Sequence, residues 1–184
     1  MERPLAGLRV VDTTNNCGEL CGRLLSDLGA DVVLIEPPQG SNLRQAAPFS
    51  PNNESLGFLW RNANKSGISL DTSTKEGYEE FTHLLSEADI WIESGENLYN
   101  SSIDSIAEMF PHLVITSITP FGSSGPYSGL IANDDVLEAI SGMMFKAGIA
   151  NKTPLLPPTT MATDIASISA AVATVLGFYQ KLRT

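Results

Sequence analysis

Hydrophobic and polar residues alternate along the first part of the chain in blocks that predict a strand, a helix and a second strand. Residues 8–13 (LRVVDT) have the composition of a buried strand. Four leucines between residues 20 and 28 then fall on one face of a helix that Gly29 ends. Residues 30–38 (ADVVLIEPP) are a short apolar run closed by two prolines, which indicates another buried strand. These blocks predict a βαβ unit.

Strand and helix patterns continue to alternate as far as residue 122. The further segments are predicted, in chain order, as strand 67–72, helix 74–88, strand 89–94, helix 101–110 and strand 112–122. Thr72 or Ser73 is expected to cap the first of these helices through its hydroxyl group. Repeated strands and helices with buried strands predict an α/β fold, a Rossmann-like parallel sheet with helices on both faces.

The last third of the chain ends in a long apolar helix that opens on a single acid. Residues 133–144 predict a helix with Asp134 as its cap, and residues 164–181 predict the long helix that begins at Asp164. The ordinary role of such an acid is to stabilise the helix dipole, but the same backbone N–H groups would also keep it ionised as a carboxylate nucleophile. Because no closing strand follows, residues 1–184 are expected to be one part of a longer protein.

Composition and charge narrow the classes of function. Hydrophobic residues at 42% and charged residues at 17% are typical of a globular protein. A net charge of −10 argues against a nucleic-acid partner. Polar residues interrupt the longest apolar run and the N-terminus does not resemble a signal peptide, so a soluble, cytoplasmic protein without a membrane partner is expected. Seven of the 11 Lys and Arg residues lie in the first 75 positions, which favours this half for an anionic ligand.

Several common types of site are not supported by the sequence. The turn after the first strand, TTNNCGELCG, lacks the G-x-G-x-x-G pattern of a dinucleotide site, and no G-x-S-x-G elbow is present. His83 and His112 stand in a predicted helix and at a strand entry, where structural roles are the usual ones. Cys17 and Cys21 are interpreted as buried free thiols, because two thiols alone make a poor metal site. No metal is therefore expected.

Seven segments, taken in order, resemble the family III CoA-transferases, the CaiB/BaiF group that includes formyl-CoA and crotonobetainyl-CoA:carnitine CoA-transferases. The segments, which extend over Pro4 to Leu182, read PLAGLRVVD, LLSDLGADVVLIEPPQG, NANKSGISLD, ADIWIE, LVITSITPFGSSGPY, NDDVLEAISGMM and PTTMATDIASISAAVATVLG. The resemblance implies the N-terminal half of such an enzyme: a portion of the large, Rossmann-like domain without the second, small domain and the C-terminal return segment. It also implies that complete chains form an interlocked homodimer.

The resemblance places the catalytic nucleophile at Asp164. In this chemistry the aspartate attacks an acyl-CoA thioester, takes CoA over as an aspartyl-CoA thioester, and passes it to a carboxylic acid acceptor. The substrates implied are an acyl-CoA and a small carboxylic acid. The loop that closes the site would come from beyond residue 184, so the chain alone is expected to be inactive.

The resemblance also implies contacts for the ADP portion of CoA. The expected residues are Glu36, Pro37, Arg44, Asn62, Asn64 and Lys65. Arg44 and Lys65 carry the positive charges that suit phosphate groups.

Several positions depart from the family's pattern. Its AGP is Cys17-Gly18-Glu19 here, Ser66 replaces a phosphate-binding arginine, Ser94-Gly95 fall within the counterpart of ENFRPG (residues 93–98), and Ile168 replaces a glycine. Because these changes would weaken CoA binding, the second hypothesis is a degenerate, non-catalytic domain with a structural or interaction role in a fused or heteromeric protein. The third is an α-methylacyl-CoA racemase. It ranks lower, because Asn133 stands where that enzyme needs a basic histidine.

Overall fold

A five-stranded parallel sheet forms the centre of the molecule in the computed structural model, which describes residues 3–95, 100–149, 151–157 and 160–183. Its strands are β1 (Arg9–Asp12), β2 (Asp31–Glu36), β3 (Ser66–Ser69), β4 (Ile90–Glu93) and β5 (Val114–Ser117). They are arranged in the order β3-β2-β1-β4-β5, and all neighbouring pairs are parallel. The predicted α/β fold is confirmed.

Seven helices are described in these residues. They are α1 (Glu19–Asp27), α2 (Leu56–Arg61), α3 (Lys75–Ser86), α4 (Ile103–Met109), α5 (Asp134–Ile140), α6 (Met143–Lys146) and α7 (Met161–Lys181). A short 3-10 helix at Asn42–Gln45 lies between β2 and α2. The sequence pattern does not predict this segment or α2, because each is too short to show helical periodicity.

Apolar clusters lie on both faces of the sheet. Val10 belongs to the cluster that α1 and α7 cover, whereas its neighbour Val11 belongs to the cluster that α3 and α4 cover. Adjacent strand residues point to opposite faces, which explains this division. In the second cluster the rings of Phe81 and Trp91 meet edge to face, with their centroids 5.5 Å apart. Helices therefore cover both faces, as predicted.

Two helix starts differ from the sequence prediction. The cap of α3 is Thr74, whose hydroxyl accepts a hydrogen bond from the Gly77 amide at 3.1 Å, and not Thr72 or Ser73. Helix α7 begins at Met161, so Asp164 lies within its first turn and does not open it. Helix α7 thus begins earlier in the chain than the apolar pattern indicates.

The longest helix, α7, is buried on one side only. Ser167, Ala171 and Thr174 are buried, and the Thr174 hydroxyl lies 2.7 Å from that of Thr116 on β5. Its outward apolar stripe is exposed and consists of Ile165, Ile168, Val172, Leu176 and Tyr179. The mean hydropathy of 1.6 over 18 residues would allow a membrane span by length and composition. This is weak evidence, since core helices of soluble proteins meet the same test.

The order of the strands opens a crevice at one end of the sheet. From β1 the chain continues outward to β2 and β3 on one side, and β4 and β5 lie on the other side. The loops after β1 and β4 therefore diverge, and such a switch point is the usual place for a ligand in an open α/β sheet. Asn15 and Cys17 follow β1, Ser94 follows β4, and all three line the crevice.

Candidate active site

The crevice consists of two adjoining cavities. The larger, of about 760 Å³, extends from the loops after β1 and β4 to α5 and the start of α7. The smaller, of about 180 Å³, is lined by Arg61, Asp164 and Glu19 among others. Thr160 and Thr163 line both cavities. The first turn of α7 therefore stands between them, and the predicted nucleophile faces the smaller one.

Asp164 is paired with Arg61 in the smaller cavity. The Nη2 atom of Arg61 lies 2.9 Å from Oδ1 and 3.2 Å from Oδ2 of Asp164, and it also donates to the hydroxyl of Thr160. The two side chains are 16% and 25% exposed, so the carboxylate remains accessible from the cavity. No sequence motif pointed to Arg61, which was counted only within the basic bias of the N-terminal half.

The start of α7 is capped by a residue of another helix. Asp134 accepts hydrogen bonds from the amides of Ala162 at 3.3 Å and Thr163 at 2.8 Å. The expectation that Asp134 caps its own helix was wrong, because Asn133 caps α5 by accepting from the Val136 amide at 3.1 Å. Asp134 thus fixes the turn that carries the predicted nucleophile.

A second carboxyl group lies beneath this cap. Glu138, one turn after Asp134 in α5, is 1% exposed. Burial first, and then a hydrogen bond with the carboxyl group of Asp134, raise the pKa of Glu138 above its ordinary value. Its Oε1 atom has no hydrogen-bond partner among the described residues. Glu138 therefore keeps its proton to a higher pH than an ordinary glutamate, and the protonated form can lie beside the Asp134 carboxylate without repulsion.

Lys65 lies beneath the crevice, where it forms a buried ion pair with Asp12. Its Nζ atom is 2.8 Å from Asp12 Oδ2, 2.7 Å from the Glu19 carbonyl oxygen and 2.7 Å from Asn62 Oδ1. The side chains of Lys65 and Asp12 are 1% and 0% exposed. An ammonium group has three donors and all three are used here, so Lys65 ties three segments together in this structure. A Cβ atom at Gly22 would lie 2.0 Å from Asp12 Oδ2, so only glycine lets α1 approach the pair.

Arg44 and Glu36 form a two-point ion pair at the end of β2. Nε and Nη2 of Arg44 each lie 2.6 Å from a Glu36 carboxylate oxygen, and the guanidinium stacks 3.8 Å from the centre of the Phe58 ring. The hydrogen bond from Arg44 is the main cause that lowers the pKa of Glu36. Arg44 is half exposed, so one side of its charge faces solvent. Pro37 lines a separate cavity of about 190 Å³, to which neither Arg44 nor Glu36 contributes.

The two asparagines among the predicted CoA contacts occupy different places. Asn62 ends α2, where its side chain donates to the Phe58 carbonyl at 3.2 Å and accepts from Lys65. Asn64 has a left-handed backbone with φ of 67°, and its side chain donates to Asp27 at 2.6 Å. The structure therefore brings together Glu36 with Arg44, and Asn62 with Lys65, while Asn64 is turned toward α1.

The positions that depart from the family's pattern also have defined environments. Glu19 is buried beside the smaller cavity, and burial is the main cause that raises its pKa. Cys21, which is not one of these positions, is also buried, and burial raises the pKa of its thiol to about 12, as expected for an inert free thiol. The Ser94 hydroxyl donates to the Asn15 carbonyl at 3.1 Å and joins the two diverging loops. Residues 96–98 of the same motif lie outside the described residues.

No group of three or more His, Cys, Asp or Glu residues that could hold a metal is present within the described part of the chain.

Ile168, one turn after Asp164, is 49% exposed and forms part of the apolar stripe of α7. Its side chain therefore faces outward from the helix in this structure.

Comparisons with known proteins agree on one family. The family model of CoA-transferase family III matches residues 5–184. A probable CoA-transferase of Mycobacterium tuberculosis is 36% identical over 182 residues, which cover 95% of this chain and 23% of that protein. A succinyl-CoA:(R)-benzylsuccinate CoA-transferase subunit of Thauera aromatica is 33% identical over 192 residues, covering 100% of this chain and 47% of the relative.

The fold is similar to that of a solved structure. A CAIB/BAIF family protein from Brucella suis superposes with a TM-score of 0.90 and 28% identity, covering 100% of this chain and 51% of that protein. The chain therefore spans from about a quarter to about half the length of these proteins.

Proposed function

Because the chain belongs to CoA-transferase family III, we propose that the protein transfers CoA from an acyl-CoA thioester to a carboxylic acid through a covalent intermediate on Asp164. The relatives named as CoA-transferases support this proposal. The substrates are an acyl-CoA and a small carboxylic acid, and the active form is a homodimer of complete, cytoplasmic chains. Because the chain spans at most about half the length of these relatives, we expect residues 1–184 alone to be inactive.

The observation that carries the proposal is the position of Asp164. Its carboxylate lies in the first turn of α7, is 25% exposed and faces a cavity that adjoins the large crevice. The positive end of the α7 dipole and the guanidinium of Arg61 both attract a carboxylate at this position, and a carboxylate is the form that attacks a carbonyl carbon. The Asp134 cap supports the same turn from the side of α5.

The first half of the reaction moves CoA onto the protein. A carboxylate oxygen of Asp164 forms a bond to the thioester carbon, the carbon–sulfur bond breaks, and the CoA thiolate leaves a mixed anhydride behind. The thiolate then attacks Cγ of Asp164 and breaks the bond to the anhydride oxygen. The donor acid departs as a carboxylate, and an aspartyl-CoA thioester remains. No proton is taken up or released in these steps.

The second half reverses the same steps with the acceptor acid. The acceptor carboxylate attacks Cγ of Asp164 and expels the thiolate, which then attacks the acceptor's acyl carbon. Asp164 returns as a carboxylate. Water must be kept from both anhydrides, since hydrolysis would lose the thioester energy.

CoA would lie along the N-terminal half of the chain. In this proposal Arg44 binds a phosphate of the ADP portion with its solvent-facing side, next to Glu36 and Pro37. Asn62 and Asn64 form the neighbouring wall, and the buried Lys65 holds Asn62 from beneath. The pantetheine chain and the acyl group occupy the 760 Å³ cavity on the way to Asp164.

The test is intact-mass spectrometry of the complete encoded protein after mixing with a panel of short acyl-CoA thioesters. The wild type is expected to gain the mass of CoA less one water, and Asp164→Ala is expected to gain nothing. Asp104→Ala, which removes an exposed carboxylate from the first turn of α4, serves as the matched control and should still be modified. If the folded wild type forms no adduct and binds no CoA, the degenerate, non-catalytic hypothesis replaces this one.

A racemase is not favoured by the geometry. The position at which that reaction needs a base holds Asn133, and its side chain already accepts a hydrogen bond from the Val136 amide as the cap of α5. A neutral amide cannot remove a proton from an α-carbon.

A further inference from the structure

The proposed reaction changes the balance of charge between Asp164 and Arg61. Arg61 is the only Lys or Arg among the described residues that line the smaller cavity. In the resting structure its Nη2 atom contacts both carboxylate oxygens of Asp164. When Asp164 is converted to an anhydride or a thioester it becomes neutral, and Arg61 is left with a positive charge at a site where its side chain is 16% exposed.

Resting on the function proposed above, we propose that Arg61 binds the carboxylate of the acid acceptor once Asp164 carries CoA. An incoming carboxylate would replace the charge that Asp164 has lost, so one anion faces the guanidinium before and after the exchange. Arginine suits this role, because its charge does not depend on pH and its donors match carboxylate oxygens. The donor acid would leave through the same contact, since the two halves of the reaction are mirror images.

The position of Arg61 also brings the acceptor to the reacting atom. Nη2 lies 2.9 Å and 3.2 Å from the two oxygens bonded to Cγ of Asp164. A carboxylate held on the same guanidinium would therefore be next to Cγ, the carbon that it must attack. The acceptor oxygen forms a bond to Cγ, the Cγ–sulfur bond breaks, and the electron pair leaves with the CoA thiolate.

The surroundings hold the guanidinium in place while its partner changes. Its central carbon lies 5.4 Å from the centre of the Trp60 ring, and Nη2 also donates to Thr160. The other acid that lines the cavity is Glu19, and its burial raises its pKa, which lessens its competition for Arg61. The cavity of about 180 Å³ leaves room beside Asp164 for a short carboxylate.

The experiment separates the two halves of the reaction in the complete encoded protein. The protein is first charged with whichever short acyl-CoA gives the aspartyl-CoA adduct, and free nucleotide is removed. The adduct is then discharged with the free acid of that same donor, which must be an acceptor because the reaction is reversible. Hydroxylamine, a neutral nucleophile that also attacks Cγ, is used in parallel.

Arg61→Gln should raise the acid concentration for half-maximal discharge about 10- to 100-fold, the range expected when a hydrogen bond to a charged group is lost. Its discharge by hydroxylamine should equal that of the wild type. Arg61→Lys, which keeps the charge, should recover part of the loss. Arg23→Gln is the matched control, because Arg23 also lies over Trp60, 5.5 Å from the ring centre, but does not line the cavity.

Two results would overturn the inference while leaving the proposed function intact. If Arg61→Gln slows acid and hydroxylamine equally, Arg61 only positions Asp164. If neither Arg61→Gln nor Arg61→Lys changes the acid dependence, Arg61 has no part in acceptor binding. Absence of any adduct in the wild type would instead contradict the function itself, and this inference with it.

Discussion

The carboxylate of Asp134 accepts a hydrogen bond from the backbone N–H of Thr163 at 2.8 Å, so a residue of α5 caps α7, the helix that carries the proposed nucleophile. The two residues are 29 positions apart in the chain. Thr160, the residue at the cap position of α7, makes no side-chain cap of its own. The geometry of Asp164 therefore depends on how α5 packs against α7.

Removal of this cap should destabilise the first turn of α7. We expect Asp134→Ala to lower the free energy of unfolding by about 0.5–2 kcal/mol, the usual cost of losing a capping side chain. The rate of adduct formation at Asp164 should fall as well, because the turn that carries it frays. Urea unfolding and intact-mass time courses measure the two effects. Asp135→Ala removes the same charge from an exposed position, and an equal loss of stability in that variant would contradict the capping role.

Glu138 should make stability decrease between mildly acidic and neutral pH. Its folded pKa is raised above the ordinary 4.5, so the unfolded chain loses this proton first as the pH rises. The contribution of the protonated group is complete below about pH 4.5 and is lost as the pH rises through the folded pKa. Glu138→Gln has no proton to lose and should show a smaller decrease.

The measurement is the urea midpoint at several pH values from about 4 to about 8, a range that covers the titration of a carboxyl group with a raised pKa. Glu108→Gln, the same substitution at an exposed glutamate of α4, should follow the wild type. If Glu138→Gln and the wild type lose stability in parallel, the raised pKa of Glu138 is not the cause.

Lys65→Met should unfold the protein more easily rather than act on CoA alone. Because Asp12 and Lys65 are both buried, removal of the lysine leaves an unpaired carboxylate and should cost about 3–5 kcal/mol. The double variant Asp12→Asn with Lys65→Met should cost less than the sum of the single variants, because no buried charge remains. Lys75→Met, at an exposed pair with Glu79, is the control and should cost about 0–1 kcal/mol.

Urea unfolding and CoA binding by calorimetry would be compared for the wild type, the two single variants, the double variant and the Lys75→Met control. A Lys65→Met protein with wild-type stability and weakened CoA binding would show that Lys65 binds a phosphate of CoA and does not stabilise the fold.

Arg44→Ala should weaken CoA binding about tenfold, since a charged contact to a phosphate is lost. The loss should shrink in high salt because this side chain is half exposed. Arg9→Ala is the matched control: Arg9 begins β1, at the end of the sheet opposite the crevice, and pairs with the exposed Glu87 at 2.8 Å. Calorimetric titration at two salt concentrations measures both variants, and equal losses would remove Arg44 from the CoA site.

The strands and the long helices could be predicted from sequence, because each carries its own periodic pattern. Helix α2 could not be, since it has six residues and its apolar positions do not repeat over two turns. The start of α7 was misplaced for a different reason: its first turn, Met161 to Asp164, is partly polar and is held by Asp134, which the local sequence cannot show.

Asp164 could be found because it is the single acid in an apolar segment that also carries the family's pattern. Its partner Arg61 could not, because the two lie 103 positions apart and α2, which supplies Arg61, has no sequence signature. For Lys65 the sequence indicated a cation beside a ligand, but nothing in the sequence indicates that Lys65 forms an ion pair with Asp12. Contacts between distant segments follow from the fold and not from local patterns.

The divergence of the loops after β1 and β4 has a consequence for how this protein can change over time. The crevice comes from the path of the backbone, so its existence does not depend on which side chains stand at Asn15, Cys17 or Ser94. Substitutions there can alter the shape and polarity of the crevice without removing the strands beneath it. Departures from a family motif at these positions are therefore compatible with a change of ligand. Substitutions in this part of the sequence do not by themselves indicate that the site has been lost.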